Sequence, residues 1–538
     1  MADAVIVGGG HNGLVAANLL ADAGWQVRVL EAEPEPGGAV RSGELTLPGF
    51  VHDRFSSFYP LAAASPVLRR LDLPAHGLRW LRHRVAVAHP ASDGTCAYIA
   101  EDPDETAAAM EAFAAGDGDR WRRVMALWEE VGPPFVDALL SPFPPVRAGA
   151  RLVRAVRPRR LPDFARFGLL PIRRFGEEQF EGDGGPRMLA GNALHADLMP
   201  EQSGGALFGL VLCGLAHQVG FPFPEGGAAG ITDALVQRLR TRGVEVECGR
   251  DVRRVVVRDG RACAVQTADG EEIAARRAVL ADVSAPSLFL DLLDPGHLPS
   301  EVVRSLERFE WGAATFKVDW ALDGEIPWIH PAARDAGAVH VCEGMDQLSD
   351  QAASLARHEV PATPFLVVGQ HAKADPTRVP DPGKEVVWAY THVPQRIRGD
   401  AGPDGLTGRW RDEREAAAFA DRMEDMIEVV APGFRDRVLQ RTIQTPCDIQ
   451  DSNQNLRRGA LNGGTAQIHQ QLVFRPIPGL GRSETPVPGL YLAGSSAHPG
   501  GGVHGACGAN AARAALREGR LGQRIMGKVV TAPAEPLL

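Results

Sequence analysis

Short apolar runs broken by glycine turns occupy both ends of the chain, and two stretches of different rhythm interrupt them. Residues 5–7 form an apolar run, a helical pattern follows over about 14–23, and residues 27–30 form a second run ending at Glu31. Runs this short, bounded by turn residues, predict buried strands, so the chain opens as strand, helix, strand. Over about 104–140 the apolar residues Phe113, Trp121, Met125, Trp128 and Phe135 predict core-facing helix. Residues 206–216 are nearly all apolar, but a bilayer span needs about 18 such residues, so they predict a buried helix.

The first rhythm returns at 231–242, a helix stopped by Gly243. Strands at 244–247, 252–257, 263–267 and around Ile273, turned by Asp259-Gly260 and Asp269-Gly270, predict a β-meander, and 278–281 one more buried strand. From about 295 to 435 the pattern leaves again. Residues 313–320 alternate as a strand with Thr315, Lys317 and Asp319 on one face, further strands fall at 339–342, 365–368 and 386–390, and 413–430 is an amphipathic helix. The chain closes with a strand at 489–494 and a small-residue helix to about Arg517.

The turns carry the chemistry. Gly8-Gly9-Gly10-His11-Asn12-Gly13 has the spacing G-x-G-x-x-G between the first strand and the first helix. Gly8 permits the tight turn, Gly10 lets a pyrophosphate approach the backbone, and Gly13 lets helix and strand pack closely. The helix N-terminus offers free N–H groups and a positive dipole end to phosphates, and Glu31 is placed to accept hydrogen bonds from a ribose diol. Gly37 and Gly38 follow, suited to backbone pressed against a cofactor, with Arg41 to neutralise phosphate. Near the C-terminus His498-Pro499-Gly500-Gly501-Gly502-Val503-His504 precedes a helix, again aiming N–H groups at an anionic group.

Composition narrows the classes. The chain has 538 residues, more than one compact core accommodates, and a net charge of −10, which argues against general nucleic-acid binding. Its seven cysteines form no C-x-x-C, so neither a zinc ribbon nor a dithiol redox pair is signalled, and no metal site is expected. A first strand at the third or fourth residue leaves no room for a signal peptide, and the expected location is cytoplasmic and reducing. Residues 147–174 stand out, with nine arginines and one acid interleaved with Leu, Val and Phe. Such a segment suits peripheral contact with an anionic membrane; a solvated helical face or a subunit contact are the other readings.

Taken together, G-G-G-H-N-G-L-V-A-A, G-G-A-V-R-S, L-A-G-N-A-L-H and A-H-P-G-G-G-V-H-G resemble the FAD-dependent oxidoreductases of the phytoene desaturase and amine oxidase superfamily. Within it the chain is most similar to the group around pyridine nucleotide-disulfide oxidoreductase domain-containing protein 2 and its bacterial relatives. The resemblance implies an α/β fold: a Rossmann-like FAD-binding domain of glutathione reductase type with a β-meander, plus an α+β substrate domain with a mixed sheet and a helical cap. The FAD domain would be discontinuous over 1–75, 225–292 and 436–525, the substrate domain would take 76–224 and 293–435, and 526–538 would be a tail. Implied cofactor contacts are Gly8, Gly10, His11, Asn12, Gly13, Glu31 and Ala32 at the ADP half. Gly37, Gly38, Ala39, Arg41 and Ser42 would follow near the pyrophosphate and ribityl chain, Val252 at the adenine, and Gly494, Ser495, Gly502, Val503 and His504 near the flavin. The family's carotenoid desaturases usually carry arginine where this chain has Ala39 and often proline where it has His504, and both departures weigh against a carotenoid substrate.

The expected activity is dehydrogenation or oxidation of a largely apolar small molecule, with hydride transfer to flavin N5. The chain has no second G-x-G-x-x-G for a nicotinamide cofactor, which leaves oxygen, a quinone or a diffusing carrier as electron acceptor. Candidate proton handlers are His504, His498 and His195, because histidine titrates near neutral pH, and Lys317, one of only four lysines. Competing readings are a redox-neutral double-bond isomerase, a flavin amine oxidase and a non-catalytic FAD-bound scaffold.

Overall fold

The computed structural model describes residues 1–518 and is built around two seven-stranded sheets. The expected tail at 526–538 lies outside the described residues.

The first sheet centres on strand Ala2–Val7, which is buried along its whole length, as a strand covered on both faces must be. Val27–Leu30 and then Val246–Glu247 pair in parallel on one side of it, and Glu272–Ala281 pairs in parallel on the other. The end of Glu272–Ala281 also pairs in parallel with Leu490–Leu492, while its start turns back through Arg261–Thr267 and Val252–Arg258 as the antiparallel meander. Strands contributed by residues 2–30, 246–281 and 490–492 therefore make one sheet, the α/β arrangement with meander that the pattern implied. Helices Ala229–Arg240 and Ala506–Glu518 both pack against His11–Asp22.

Helix His11–Asp22 starts three residues earlier than its apolar pattern suggests. The glycine turn runs directly into it, so Gly13 is inside the first helical turn; a Cβ there would lie 2.2 Å from the Gly8 carbonyl oxygen.

The second sheet is mixed, in the order Val438–Gln444, Ala314–Leu322, Glu385–Val393, Leu366–Gln370, Ala336–Val341, Val85–Pro90, Cys96–Ala100. Its two faces bury different cores. Val367 and Trp388 belong to the core shared with the helical cap, whereas Leu366, Val368, Val387 and Ala389 belong to the core under helix Glu413–Val430. Val438–Gln444 joins this sheet although it lies beyond the boundary expected at 436, because it pairs along Ala314–Leu322 rather than with any strand of the first sheet.

The cap contains helices Asp117–Leu140, Gly184–Leu194 and Gly205–Val219, the last being the buried apolar stretch. Residues 147–174 fold as short helices on its outside, and most of their charge is neutralised locally. Arg151 pairs with Asp137, Arg157 and Arg160 with Glu130, Arg166 and Arg174 with Glu178, and Arg173 with Glu201. Among the described residues, Arg147, Arg154 and Arg159 have no such partner.

Candidate active site

A cavity of about 910 Å³ runs from the C-terminal edge of the first sheet to the cap-facing side of the second. One end is built by the glycine turns. Gly8 takes φ +94°, and a Cβ on it would meet the Asp282 carbonyl at 2.8 Å, so only glycine lets the backbone face the cavity here. Glu31 Oε2 accepts the Gly9 N–H at 2.6 Å and Oε1 accepts the Glu33 N–H at 2.9 Å, which fixes the carboxylate at the cavity edge. Burial pushes its pKa up despite those two donors.

Of the residues implied as cofactor contacts, Gly8, Gly10, His11, Glu31, Ala32, Gly38, Ala39, Val252, Gly494, Ser495, Gly502, Val503 and His504 line this cavity. Asn12, Gly13, Gly37, Arg41 and Ser42 do not. Gly13 donates its N–H to Asp282 Oδ2 at 2.7 Å, and Gly37 donates to the Gly9 carbonyl at 2.8 Å, joining the two glycine turns. Arg41 spends its guanidinium on the carbonyls of Gly38 and Ser452, and Ser42 bonds Asp53, so both brace the turn from behind. Three buried polar atoms at this end, His11 Nε2 and both amide atoms of Asn12, have no partner. With a helix N-terminus, a ribose-facing carboxylate and glycine backbone against the void, this end fits a dinucleotide.

The other end is a chamber. Its wall is apolar, from Phe135 and Leu139 on one cap helix and Leu207, Phe208, Val211 and Leu212 on another. Its floor is a stripe across two strands, where the antiparallel register sets Thr315 opposite His392 and Lys317 opposite Tyr390. All four line the cavity, as does Trp388. Trp388 and Tyr390 stack on each other along one strand, 6.1 Å apart, and so present one aromatic face rather than two flanking a gap.

The proton-handling candidates differ in setting. Lys317 lies on the cavity floor in a buried ion pair with Asp319, 2.6 Å from Oδ2. Burial raises the Asp319 pKa, but the Lys317 charge, the neighbouring His52 ring and the Lys317 hydrogen bonds outweigh it and hold the carboxyl below its usual range. His504 lines the cavity, but its Nδ1 accepts the Ala506 N–H that opens the last helix, and burial drives its pKa down to about 3. It is a neutral brace for the glycine turn. His498 bonds the Ser141 carbonyl at 3.1 Å, and His195 Nε2 lies 2.7 Å from His340 Nε2; burial lowers each to about 4.

Four further residues belong to the site. Asp282 follows the end of a central strand, where ligands of α/β sheets bind, and lies against Gly8, Gly10 and Gly13; burial raises its pKa to about 7. The buried strand at 278–281 ending on a lone acid was its signal. His392 and Asp197 form a pair in the chamber, with Nε2 to Oδ1 2.7 Å. Continuing the period-two pattern of Trp388 and Tyr390 by one step reaches His392. Asn462 donates to Asp197 Oδ2 at 2.9 Å and lies under Gly501, where a Cβ would meet its Oδ1 at 2.5 Å, so it connects the pair to the glycine turn.

Residues 13–386 match the family model described as flavin containing amine oxidoreductase. Pyridine nucleotide-disulfide oxidoreductase domain-containing protein 2 of Mus musculus is 29% identical over 96% of this chain and 93% of its own. A neurosporene-forming phytoene desaturase of Rhodobacter capsulatus is 24% identical over 94% of this chain and 91% of its own. Among solved structures, putrescine oxidase bound to putrescine shares the fold with a TM-score of 0.60, at 17% identity over 97% of this chain and 99% of that one.

Proposed function

The chain belongs to the flavin containing amine oxidoreductase family, and from that premise we propose that it removes hydrogen from a largely apolar small molecule. The FAD of this family supplies a two-electron acceptor that takes hydride at N5. Gly8, Gly10, Gly38 and Glu31 would hold its ADP half, Val252 its adenine, and the turn from Gly494 to His504 its flavin end.

The observation that carries this reading is the chamber wall. Phe135, Leu139, Leu207, Phe208, Val211 and Leu212 offer a substrate dispersion contact and exclusion of water but no directional bond. Polar groups gather on the floor and around the His392–Asp197 pair, so the substrate is oriented with its reacting carbon toward that side. There, His392 is 2% exposed and its Nδ1 has no partner, while Nε2 is held by Asp197. With Asp197 fixing the ring, His392 Nδ1 is positioned to take the proton that leaves the substrate. Lys317 carries its charge beside it, already neutralised by Asp319.

The phytoene desaturase relative supports dehydrogenation of an apolar substrate. The side-by-side stacking of Trp388 and Tyr390 weighs against an amine held between two aromatic rings. Access would be through the rim, where helix Val146–Val156 presents exposed Val146 and Val153 next to the cavity-lining Leu152, and Leu472 lies across from it. Arg147 and Arg154 flank that apolar edge, which supports contact with an anionic membrane through this one helix rather than through the whole of 147–174.

Anaerobic titration of the holoprotein with cyclic alkenes, long-chain alkenes and alkylamines tests the reading. Bleaching of the flavin by an alkene class is expected. Bleaching by amines alone makes it an amine oxidase. A shifted double bond without bleaching makes it an isomerase.

A further inference from the structure

Arg475 is fully buried and lines the same cavity, yet it pairs with no carboxylate among the described residues. Its guanidinium donates only to main-chain carbonyls. Nη1 reaches Thr465 at 2.9 Å, Nη2 reaches Asn462 at 2.7 Å and Ser495 at 2.8 Å, and Nε reaches Ser495 at 3.2 Å. It lies directly beneath the flavin-end turn, for a Cβ on Gly500 would come within 3.1 Å of its Cζ. The other fully buried arginine among the described residues, Arg378, has acids as partners, Asp53 and Asp375.

Carbonyl dipoles orient a cation without cancelling its charge. A buried cation left unpaired is costly, and burial accordingly lowers the Arg475 pKa to about 10. Because Arg475 lines the cavity, what fills it can supply the compensating negative charge. FAD brings charge of two kinds: the pyrophosphate, always present, and a charge placed on the flavin ring by reduction. The pyrophosphate already has a receptor in the Gly8–Gly13 turn and the N-terminus of helix His11–Asp22. Arg475 is instead fixed to Ser495 and Gly500, at the opposite turn.

We propose that Arg475 is a positioning residue for the flavin, whose fixed positive charge beneath the Ser495–Gly500 turn stabilises the reduced, negatively charged flavin and so raises its reduction potential. The guanidinium acts through the turn and takes no part in proton transfer. This inference rests on FAD binding and not on the proposed substrate.

The test needs no substrate. The reduction potential and the dissociation constant of oxidised FAD are measured for wild-type, Arg475→Met and Arg475→Lys holoproteins, against a reference dye. In Arg475→Met, the affinity for reduced relative to oxidised FAD is expected to fall at least about tenfold, a potential lower by about 30 mV for a two-electron couple. Arg475→Lys should stay within about threefold of wild type, because the charge is kept. An unchanged potential in folded Arg475→Met overturns the proposal. So does an equal loss of affinity for both redox forms, which would assign the charge to the pyrophosphate. Should neither variant hold FAD, wild-type holoprotein decides: reduction at about pH 6 with uptake of one proton supports a cation that keeps the flavin ring ionised, and uptake of two protons overturns it.

Discussion

His392 Nε2 lies 2.7 Å from Asp197 Oδ1, an ion-pair geometry that joins an interior strand of the second sheet to the turn after a cap helix. Asp197 adopts φ +59°, a conformation that a non-glycine residue seldom takes, and the His392 and Asn462 contacts hold it there. If this pair handles the substrate proton, His392→Gln should slow flavin reduction by substrate by about 10²–10³-fold, within the usual range for loss of a general base. Asp197→Asn should slow it less, because the ring remains in place. Oxidised FAD should bind both variants as tightly as wild type. Anaerobic single-turnover absorbance and a fluorescence titration measure the two quantities; equal loss in both would assign the pair to cofactor binding.

The end of the cavity built by the glycine turns was legible in the sequence because glycine spacing, strand and acid are local features, all within residues 5–38. The chamber was not. His392 and Asp197 are 195 positions apart and meet only through sheet register and cap packing, and neither residue type signals the other. The same reasoning explains His504. A histidine inside a glycine turn suggests chemistry, but its Nδ1 is spent on starting the next helix, a bond that a motif does not reveal. The strands at 85–90 and 96–100 pair with each other as a hairpin, but Val85–Pro90 is buried along its whole length and so shows no alternation, and its other partner, Ala336–Val341, lies more than two hundred residues further on.

Asp282 makes cofactor affinity depend on pH. Its pKa is raised to about 7 by burial and by the Glu31 charge, while the Gly13 N–H pulls the other way. Below that value it is protonated and neutral; above it, a carboxylate faces the groove that receives the pyrophosphate. FAD should therefore bind more weakly as pH rises through about 7, and binding near that pH should take up protons. Calorimetry in buffers of different ionisation enthalpy measures both. Asp282→Asn should remove the pH dependence while leaving low-pH affinity within a few fold.

Glu31 should matter in a different way. Its two carboxylate oxygens accept the Gly9 and Glu33 N–H groups and so shape the turn before any ligand arrives. Glu31→Ala leaves the buried Gly9 N–H and the half-buried Glu33 N–H without their acceptor and removes the ribose acceptor, a loss of about 2–3 kcal/mol in FAD binding. Glu31→Gln keeps the acceptor oxygen and should recover part of that. Equilibrium dialysis of the apoprotein with FAD gives the comparison.

Gly508 is where the last helix crosses the first. A Cβ there would lie 1.9 Å from the Asn12 carbonyl oxygen and 2.7 Å from its carbon, both main-chain atoms that cannot rotate aside. Helices His11–Asp22 and Ala506–Glu518 would have to separate, and the first carries the phosphate-facing turn at its N-terminus. Gly508→Ala should therefore destabilise the protein by about 1–3 kcal/mol, the usual cost of overpacking, and weaken FAD as well. Gly24→Ala is the control. It has a positive φ, which Gly508 does not, but a Cβ there meets nothing within 4 Å, so it should lower the melting temperature slightly and leave FAD affinity alone. Loss of FAD affinity in both would show that general destabilisation, and not the helix crossing, controls the cofactor site.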